Sequence, residues 1–246
     1  MNIWPIFSLG VAIANNYNIA RQFWVVCVNS PGQMTKGKYI VVEGPIGVGK
    51  TSLAKILANE FQARTVFERV EDNPFLPKFY KARETYAFQN QTFFLINRYQ
   101  QQMELSQQDL FKQNTVADYL FAKDKIFATL TLSDEELSLY QQIYALLNTR
   151  VPKPDLVVYL QARPEVLYKR VKKRDKKYER SVTFEYLSGV AQAYNQFFFH
   201  YDDTPLLVVN TSEIDFVASS KHLADLIKEI NNMGSGTQHY IPLGSR

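Results

Sequence analysis

With 246 residues, 46% of them hydrophobic, the chain is long enough for one α/β domain with extensions and can bury a sizeable core. Its net charge of +4 is too small to imply nucleic acid by itself, so basic clusters have to be judged locally. The single cysteine, Cys27, excludes an internal disulfide and fits a reducing, cytoplasmic setting, and no apolar run approaches the ~18 residues of a membrane span.

Residues 1–36 carry Arg21 as their only charge before Lys36 and mix apolar pieces with Asn and Gln. Lacking the basic start of a signal peptide, they read as an appendage outside the core or as a start placed too early. Residues 37–231 are expected to form the working domain, and the Gly- and Ser-containing residues 232–246 a flexible tail.

Tyr39-Ile-Val-Val-Glu43 is an apolar run of strand length. It leads into Gly44-Pro45-Ile46-Gly47-Val48-Gly49-Lys50-Thr51-Ser52, with the spacing G-x-x-x-x-G-K-[ST]. Residues 52–61 then read as a helix with Leu53, Ile56, Leu57 and Phe61 on one stripe. Strand, Gly-rich loop and helix together are the context of a phosphate-binding loop. The glycines let backbone N–H groups converge on one point, and the helix N-terminus adds a partial positive charge there. In such a loop Lys50 reaches the β- and γ-phosphates of a nucleoside triphosphate, and the Thr51 hydroxyl is a ligand for Mg²⁺.

Further along, residues 64–68 read as a short strand ending on Glu68, and Asn73-Pro74 as a helix start. Residues 84–112, free of proline and glycine, read as one long helix, residues 115–118 as a strand and 133–147 as a helix capped by Ser133. A buried strand at 155–160, helices at 164–173 and 182–200, a strand at 206–210 and a helix at 214–230 complete the pattern. Alternating strands and helices predict a three-layer α/β domain, with a five-stranded parallel sheet flanked by helices.

In such sheets ligands gather at the carboxyl ends of the strands, where Glu43, Glu68 and Asp118 fall. Glu68 is placed to act as a general base. Asp118, after Thr-Val-Ala, follows the pattern of carboxylates that hold Mg²⁺. On the long helix, Gln91 and Arg98 share a face, and a glutamine amide suits the edge of a base, although Gln89, Gln100, Gln101 and Gln102 compete for that role. The run 169–180 holds the densest basic charge. Arg170 and Arg174, four apart on one helical face, read as lid arginines that neutralise a transferring phosphate, with a nucleic-acid patch as the alternative.

Taken together, GPIGVGKTS, FERVEDNPF from Phe67, YAFQNQTFFL from Tyr86, VADYLFAKD from Val116, VPKPDLVVYL from Val151 and AYNQFFFHY from Ala193 resemble the deoxynucleoside kinases, specifically the bacterial deoxyadenosine/deoxyguanosine kinase branch. The resemblance runs from about Lys38 to Ile230. It implies a P-loop kinase fold, transfer of the ATP γ-phosphate with Mg²⁺ to the 5′-hydroxyl of a purine deoxynucleoside in nucleotide salvage, and a homodimer through the long helices. It implies no nucleic-acid or membrane partner. By position it implies Glu68 as the base, Gln91 and Arg98 in the nucleoside pocket, Tyr80 and Glu179 at the 3′-hydroxyl, Asp124 near the base of the substrate, and Arg170 and Arg174 in the lid.

The chain departs from the family pattern at three places. Glu68-Arg69-Val70 stands for the usual Glu-Pro-Val, and Asp175 stands where glycine is common. Asp118-Tyr119 stands for an acid followed by arginine, whose work is then dropped or passes to another cation such as Lys123. The enzyme rival is a nucleoside-monophosphate kinase. A GTP-driven switch lacks its Asn-Lys-x-Asp, since no Asn-Lys pair occurs.

Overall fold

The structure is a computed structural model that describes residues 37–107, 113–176 and 179–242; the expectations for residues 1–36 lie outside them. Strands β1 (Tyr39–Glu43), β2 (Arg64–Val66), β3 (Thr115–Ala117), β4 (Leu156–Gln161), β5 (Leu206–Asn210) and β6 (Thr237–Tyr240) form one sheet in the order β2-β3-β1-β4-β5-β6. Every pairing is parallel. Among the described residues the sheet therefore has six strands, not five. The additional one comes from the stretch read in the sequence as a tail, whose residues Thr237, Gln238 and His239 are exposed and carry no hydrophobic pattern to announce a strand.

Helices cover both faces, as a parallel sheet requires. On one face Ile40, Val42, Val158, Leu160, Leu207 and Val209 pack with Leu53 and Leu57 of α1 (Lys50–Glu60), Leu167 of α6 (Pro164–Arg174), and Leu226 and Ile230 of α8 (Ser220–Asn232). On the other, Val41, Ala117, Val157, Tyr159 and Val208 pack with Val190, Tyr194 and Phe198 of α7 (Phe184–Phe199), Leu105 of α3 (Arg83–Gln107) and Ile126 of α4 (Asp124–Thr131). Alternation along each strand sends neighbours to opposite cores, so strands buried on both sides read as continuous apolar runs. Leu95 of α3 and Ala128 of α4 meet Tyr140 and Tyr144 of α5 (Asp134–Asn148) in a satellite core.

Local chemistry sets the boundaries. Ser133 accepts from Glu136 N at 3.3 Å and Glu136 accepts from Ser133 N at 3.1 Å, a capping box that starts α5 where expected. Asn73 Oδ1 accepts from Phe75 N at 2.9 Å ahead of the short α2 (Leu76–Phe79). The last helix begins at Ser220 and not at 214. Asp215 Oδ1 takes the N–H groups of Val217 and Ala218, each at 2.9 Å, which holds a turn until Ser219 caps α8. A single 3₁₀ turn, Phe121–Lys123, feeds α4, and neither was anticipated between the third strand and Ser133. Helix α3 ends at Gln107 among the described residues, so the expected stretch 108–112 is outside them.

After β1 the chain moves to the β2 and β3 side of the sheet, and after β4 to the β5 side. Strands β1 and β4 therefore flank the point where connections diverge, which is where a ligand crevice opens.

Candidate active site

The phosphate loop lies on that crevice. A Cβ on Gly44 would sit 2.3 Å from the Leu160 carbonyl oxygen of β4, and one on Gly47 would sit 2.7 Å from Val171 Cγ2, with φ +86° at Gly47. Side chains are excluded there because β4 and α6 close in on the loop. Lys50 Nζ donates to Gly44 O at 2.7 Å and Pro45 O at 3.3 Å. Burial pushes the Lys50 amine down, and the Glu43 carboxylate opposes that shift. Glu43 itself is fully buried at the foot of the loop. It accepts from Gly44 N at 2.8 Å, Leu120 N at 2.7 Å and the Tyr194 hydroxyl at 3.2 Å, so it is a brace and not a free carboxylate.

Thr51 Oγ1 donates to Asp118 Oδ2 at 2.5 Å, and Asp118 Oδ1 accepts from Glu68 N at 2.8 Å. The Asp118 carboxylate thus joins the loop hydroxyl of Thr51 to the backbone at Glu68, so that two residues expected at separate strand ends meet beside the loop. Thr51 and Asp118 supply adjacent hard oxygens beside the loop. That donor set suits Mg²⁺, which keeps several waters and takes the rest of its shell from phosphates. Bound there, the ion would neutralise developing charge on the phosphate oxygens.

Glu68 has both oxygens engaged: Arg98 pairs with Oε1, and Lys123 Nζ donates to Oε2 at 2.6 Å. Burial would raise this carboxyl, but the charges of Arg98 and then Lys123 outweigh it, holding Glu68 far below the ordinary carboxylate range. Arg98 also pairs with Asp124, which is fully buried, and lies 4.7 Å over the Phe94 ring. Lys123, the cation offered as an alternative to an arginine at position 119, is 3% exposed and paired with Glu68. Tyr119 instead points into the core, where its hydroxyl accepts from Gln102 Nε2 at 3.2 Å. Nor does the turn at Glu68 need its proline, because Asp118 holds the Glu68 N–H and Gln101 Nε2 donates to Phe67 O at 3.1 Å.

Lys50, Thr51, Glu68 and Asp118 beside the loop share one cavity of about 680 Å³ with Gln91, Phe94 and Arg98 of α3 and Phe127 of α4. Tyr80, Arg174 and Glu179 border the same space. Arg174 and Glu179 form a two-point pair at 2.5 and 3.1 Å. The two arginines expected in a lid, Arg170 and Arg174, have different surroundings. Arg170 donates to the carbonyls of Val48, Thr211 and Ile214 at 3.3, 3.0 and 3.4 Å, pinning the 211–214 turn to the phosphate loop, and burial lowers its pKa. It borders, with Arg174 and residues 47–52, a second cavity of about 290 Å³. At the end of α6, Asp175 adopts the left-handed conformation (φ +47°, ψ +40°) in which glycine is the favoured residue. Arg180 pairs with Asp175 and Lys172 donates to Arg180 O and Val182 O, so much of the basic run is engaged within its own turn.

The structure therefore brings the expected site residues to one of two cavities, except Gly44 and Pro45 at the start of the loop, whose carbonyls hold Lys50, and Asp124, which reaches the larger cavity through Arg98. Sequence reasoning missed Asn90 and Phe127, which line the larger cavity, and Thr131, which accepts from Gln91 Nε2 at 3.2 Å. Phe127 and Thr131 lie on α4, the helix whose short amphipathic pattern was not read; Asn90 sits in a run of polar residues on α3 and gave no signal of its own.

The family model for deoxynucleoside kinases matches residues 40–234. The chain is 40% identical over 162 residues to the deoxyguanosine kinase of Bacillus subtilis (strain 168), covering 65% of this chain and 78% of that protein. It is 33% identical over 208 residues to the deoxyadenosine kinase of Dictyostelium discoideum, covering 80% and 82%. A solved structure of deoxyadenosine kinase from M. mycoides with bound dATP shares the fold, at a TM-score of 0.69 and 22% identity over 79% of this chain and 99% of that one. The chain belongs to the deoxynucleoside kinase family, and it is an enzyme that phosphorylates a deoxynucleoside with a nucleotide as phosphate donor.

Proposed function

We propose that this protein transfers the γ-phosphate of Mg-ATP to the 5′-hydroxyl of a purine deoxynucleoside, giving the 5′-monophosphate for nucleotide salvage. The observation that carries the reading is that one cavity is lined both by Lys50, Thr51 and Glu68 beside the loop and by Gln91 and Arg98 of α3. A sugar alcohol held there faces a carboxylate and a phosphate loop at once.

The loose transition state of phosphoryl transfer makes positioning and charge neutralisation the main contributions. Lys50, Arg170 and Arg174 surround the phosphate path, with Thr51 and Asp118 as the oxygens for magnesium. Glu68 keeps lone pairs beyond those given to Arg98 and Lys123, and one of them accepts from the 5′-hydroxyl. A carboxylate held so far below its ordinary range is a weak proton acceptor, so Glu68 orients the hydroxyl until bond formation has made it acidic. Gln91 and Arg98, with Asp124 behind it, read the base; Tyr80 and Glu179 hold the 3′-hydroxyl. The enzyme works as a cytoplasmic homodimer, supported by the exposed Ile96 of α3 and the exposed Leu139 and Leu146 of α5. Among the described residues no helix is long and apolar enough to cross a membrane.

The test is a turnover panel of the four deoxynucleosides and their monophosphates with Mg-ATP. Product from deoxyadenosine or deoxyguanosine is expected. Product formed only from a monophosphate would identify a nucleoside-monophosphate kinase and overturn the reading.

A further inference from the structure

Helices α3 and α4 are joined at two rungs. Arg98 pairs with Asp124, and Gln91 Nε2 donates to Thr131 Oγ1 at 3.2 Å. The rungs are two helical turns apart on each helix and run in opposite directions, so one antiparallel face of α4 holds both side chains assigned to the base. The Thr131 rung contains a proton count. Thr131 Oγ1 lies 2.7 Å from the Phe127 carbonyl oxygen, and of those two oxygens only the hydroxyl owns a proton. That proton is committed to Phe127, which leaves Thr131 only an acceptor to offer Gln91. The amide atom beside it is therefore the nitrogen, and turning the amide over would press two acceptors together. Gln91 is 3% exposed and lines the nucleoside cavity; Thr131 does not line it.

Direction matters because purines present opposite edges. A 6-amino purine donates at position 6 and accepts at N1, whereas a 6-oxo purine accepts at position 6 and donates from N1. A primary amide serves one or the other according to which way it faces. We propose that Thr131 is a positioning residue that fixes the facing of Gln91 and so sets the discrimination between 6-amino and 6-oxo purine deoxynucleosides. The inference rests on Gln91 reading the base, as proposed above.

Deoxyadenosine and deoxyinosine differ only at that edge, so their kcat/KM ratio with Mg-ATP is the readout. The wild type is expected to prefer one of them by about tenfold or more. Thr131→Val keeps the shape and deletes the acceptor, and it should narrow the ratio by about fivefold or more, chiefly through a lower KM for the disfavoured substrate. Thr131→Ser restores the acceptor and should hold the ratio within about twofold of wild type. If Thr131→Val lowers Tm enough to obscure the assay, Thr131→Ala carries the same expectation. Gln91→Leu separates the two ways of failing. If it abolishes the ratio while Thr131→Val and Thr131→Ala leave it unchanged, the glutamine still reads the base and the role of Thr131 is overturned. If Gln91→Leu leaves the ratio unchanged, or the wild type treats both nucleosides alike, the base-reading glutamine fails and this inference fails with it.

Discussion

At the phosphate end of the cavity one unbroken stretch, residues 44–52, supplies backbone amides, a lysine and a hydroxyl, and its shape is enforced by close contact with β4 and α6. At the nucleoside end no stretch suffices. Gln91 and Arg98 come from α3, and the groups that aim them, Thr131 and Asp124, come from opposite ends of α4. Glu68 lies between the two ends and touches both, through Asp118 toward the loop and through Arg98 toward the base. The difference teaches where each function is exposed to damage. On the proposed reading, phosphate binding is local and depends on few side chains, whereas base reading depends on the register of two helices.

The largest effect is expected at the local end. Lys50→Ala removes the loop cation proposed to reach the phosphates. Its kcat for a deoxynucleoside should fall by about 10²–10³-fold or more, with Tm close to wild type because the Lys50 hydrogen bonds among the described residues go to the Gly44 and Pro45 carbonyls of its own loop. Steady-state turnover beside thermal unfolding checks both halves. Wild-type turnover by purified Lys50→Ala would remove the loop from the chemistry. Glu68→Gln, at the junction, should lower kcat by about 10²–10⁴-fold. Unlike Lys50→Ala it should also destabilise the fold, by about 3–5 kcal/mol, because Arg98 and Lys123 stay buried without their shared carboxylate. Urea unfolding of the two variants side by side measures that contrast.

The same contrast explains what the sequence disclosed. The phosphate loop, the strand-end carboxylates Glu68 and Asp118 and most helices were legible because each rests on local spacing, a cap or an apolar stripe. Arg170 and Arg174 were singled out by their own helical spacing, whereas the choice of Gln91 among the glutamines and the reading of Asp124, Tyr80 and Glu179 came only from the family resemblance. Helix α4 was not legible, since it is only eight residues long and starts from a 3₁₀ turn with no capping side chain. Strand β6 was not legible because its side chains are largely exposed and only its backbone pairing with β5 defines it. The separate surroundings of Arg170 and Arg174 depend on the 211–214 turn, which lies far from them in sequence. What escaped in each case is a tertiary contact, on which periodicity is silent.

Lys123→Met sharpens the account of the junction. Methionine keeps the length and packing of the lysine stem while removing one of the two cations on Glu68. The expected loss in kcat is about tenfold. The pH profile is more specific. A depressed carboxyl contributes stability and ionised base in full above its unfolded pKa of about 4.3, and loses them only as pH falls through the lower folded value. Wild-type kcat should therefore show no acid limb from Glu68 at pH 5 and above. With Lys123 gone, Arg98, Lys50 and the Asp118 carboxylate remain around Glu68, its pKa rises toward the ordinary range, and the acid limb of kcat moves up in pH. A profile of Lys123→Met that superposes on wild type would show that Lys123 does not set the charge state of the base.

The smallest effect belongs to the residue that stands in the family arginine's place. Tyr119→Phe keeps the ring, over which Lys123 Nζ lies at 6.0 Å, and removes only a hydroxyl that meets Gln102 in the core. Gln102 retains the Tyr39 hydroxyl at 3.3 Å, so the loss should be about 1 kcal/mol of stability in urea unfolding and less than about twofold in kcat. A large fall in kcat would mean that the hydroxyl itself serves the phosphoryl group. A small one leaves the arginine's work with Lys123, which approaches Glu68 from the turn after β3 and not from the position that the family motif marks.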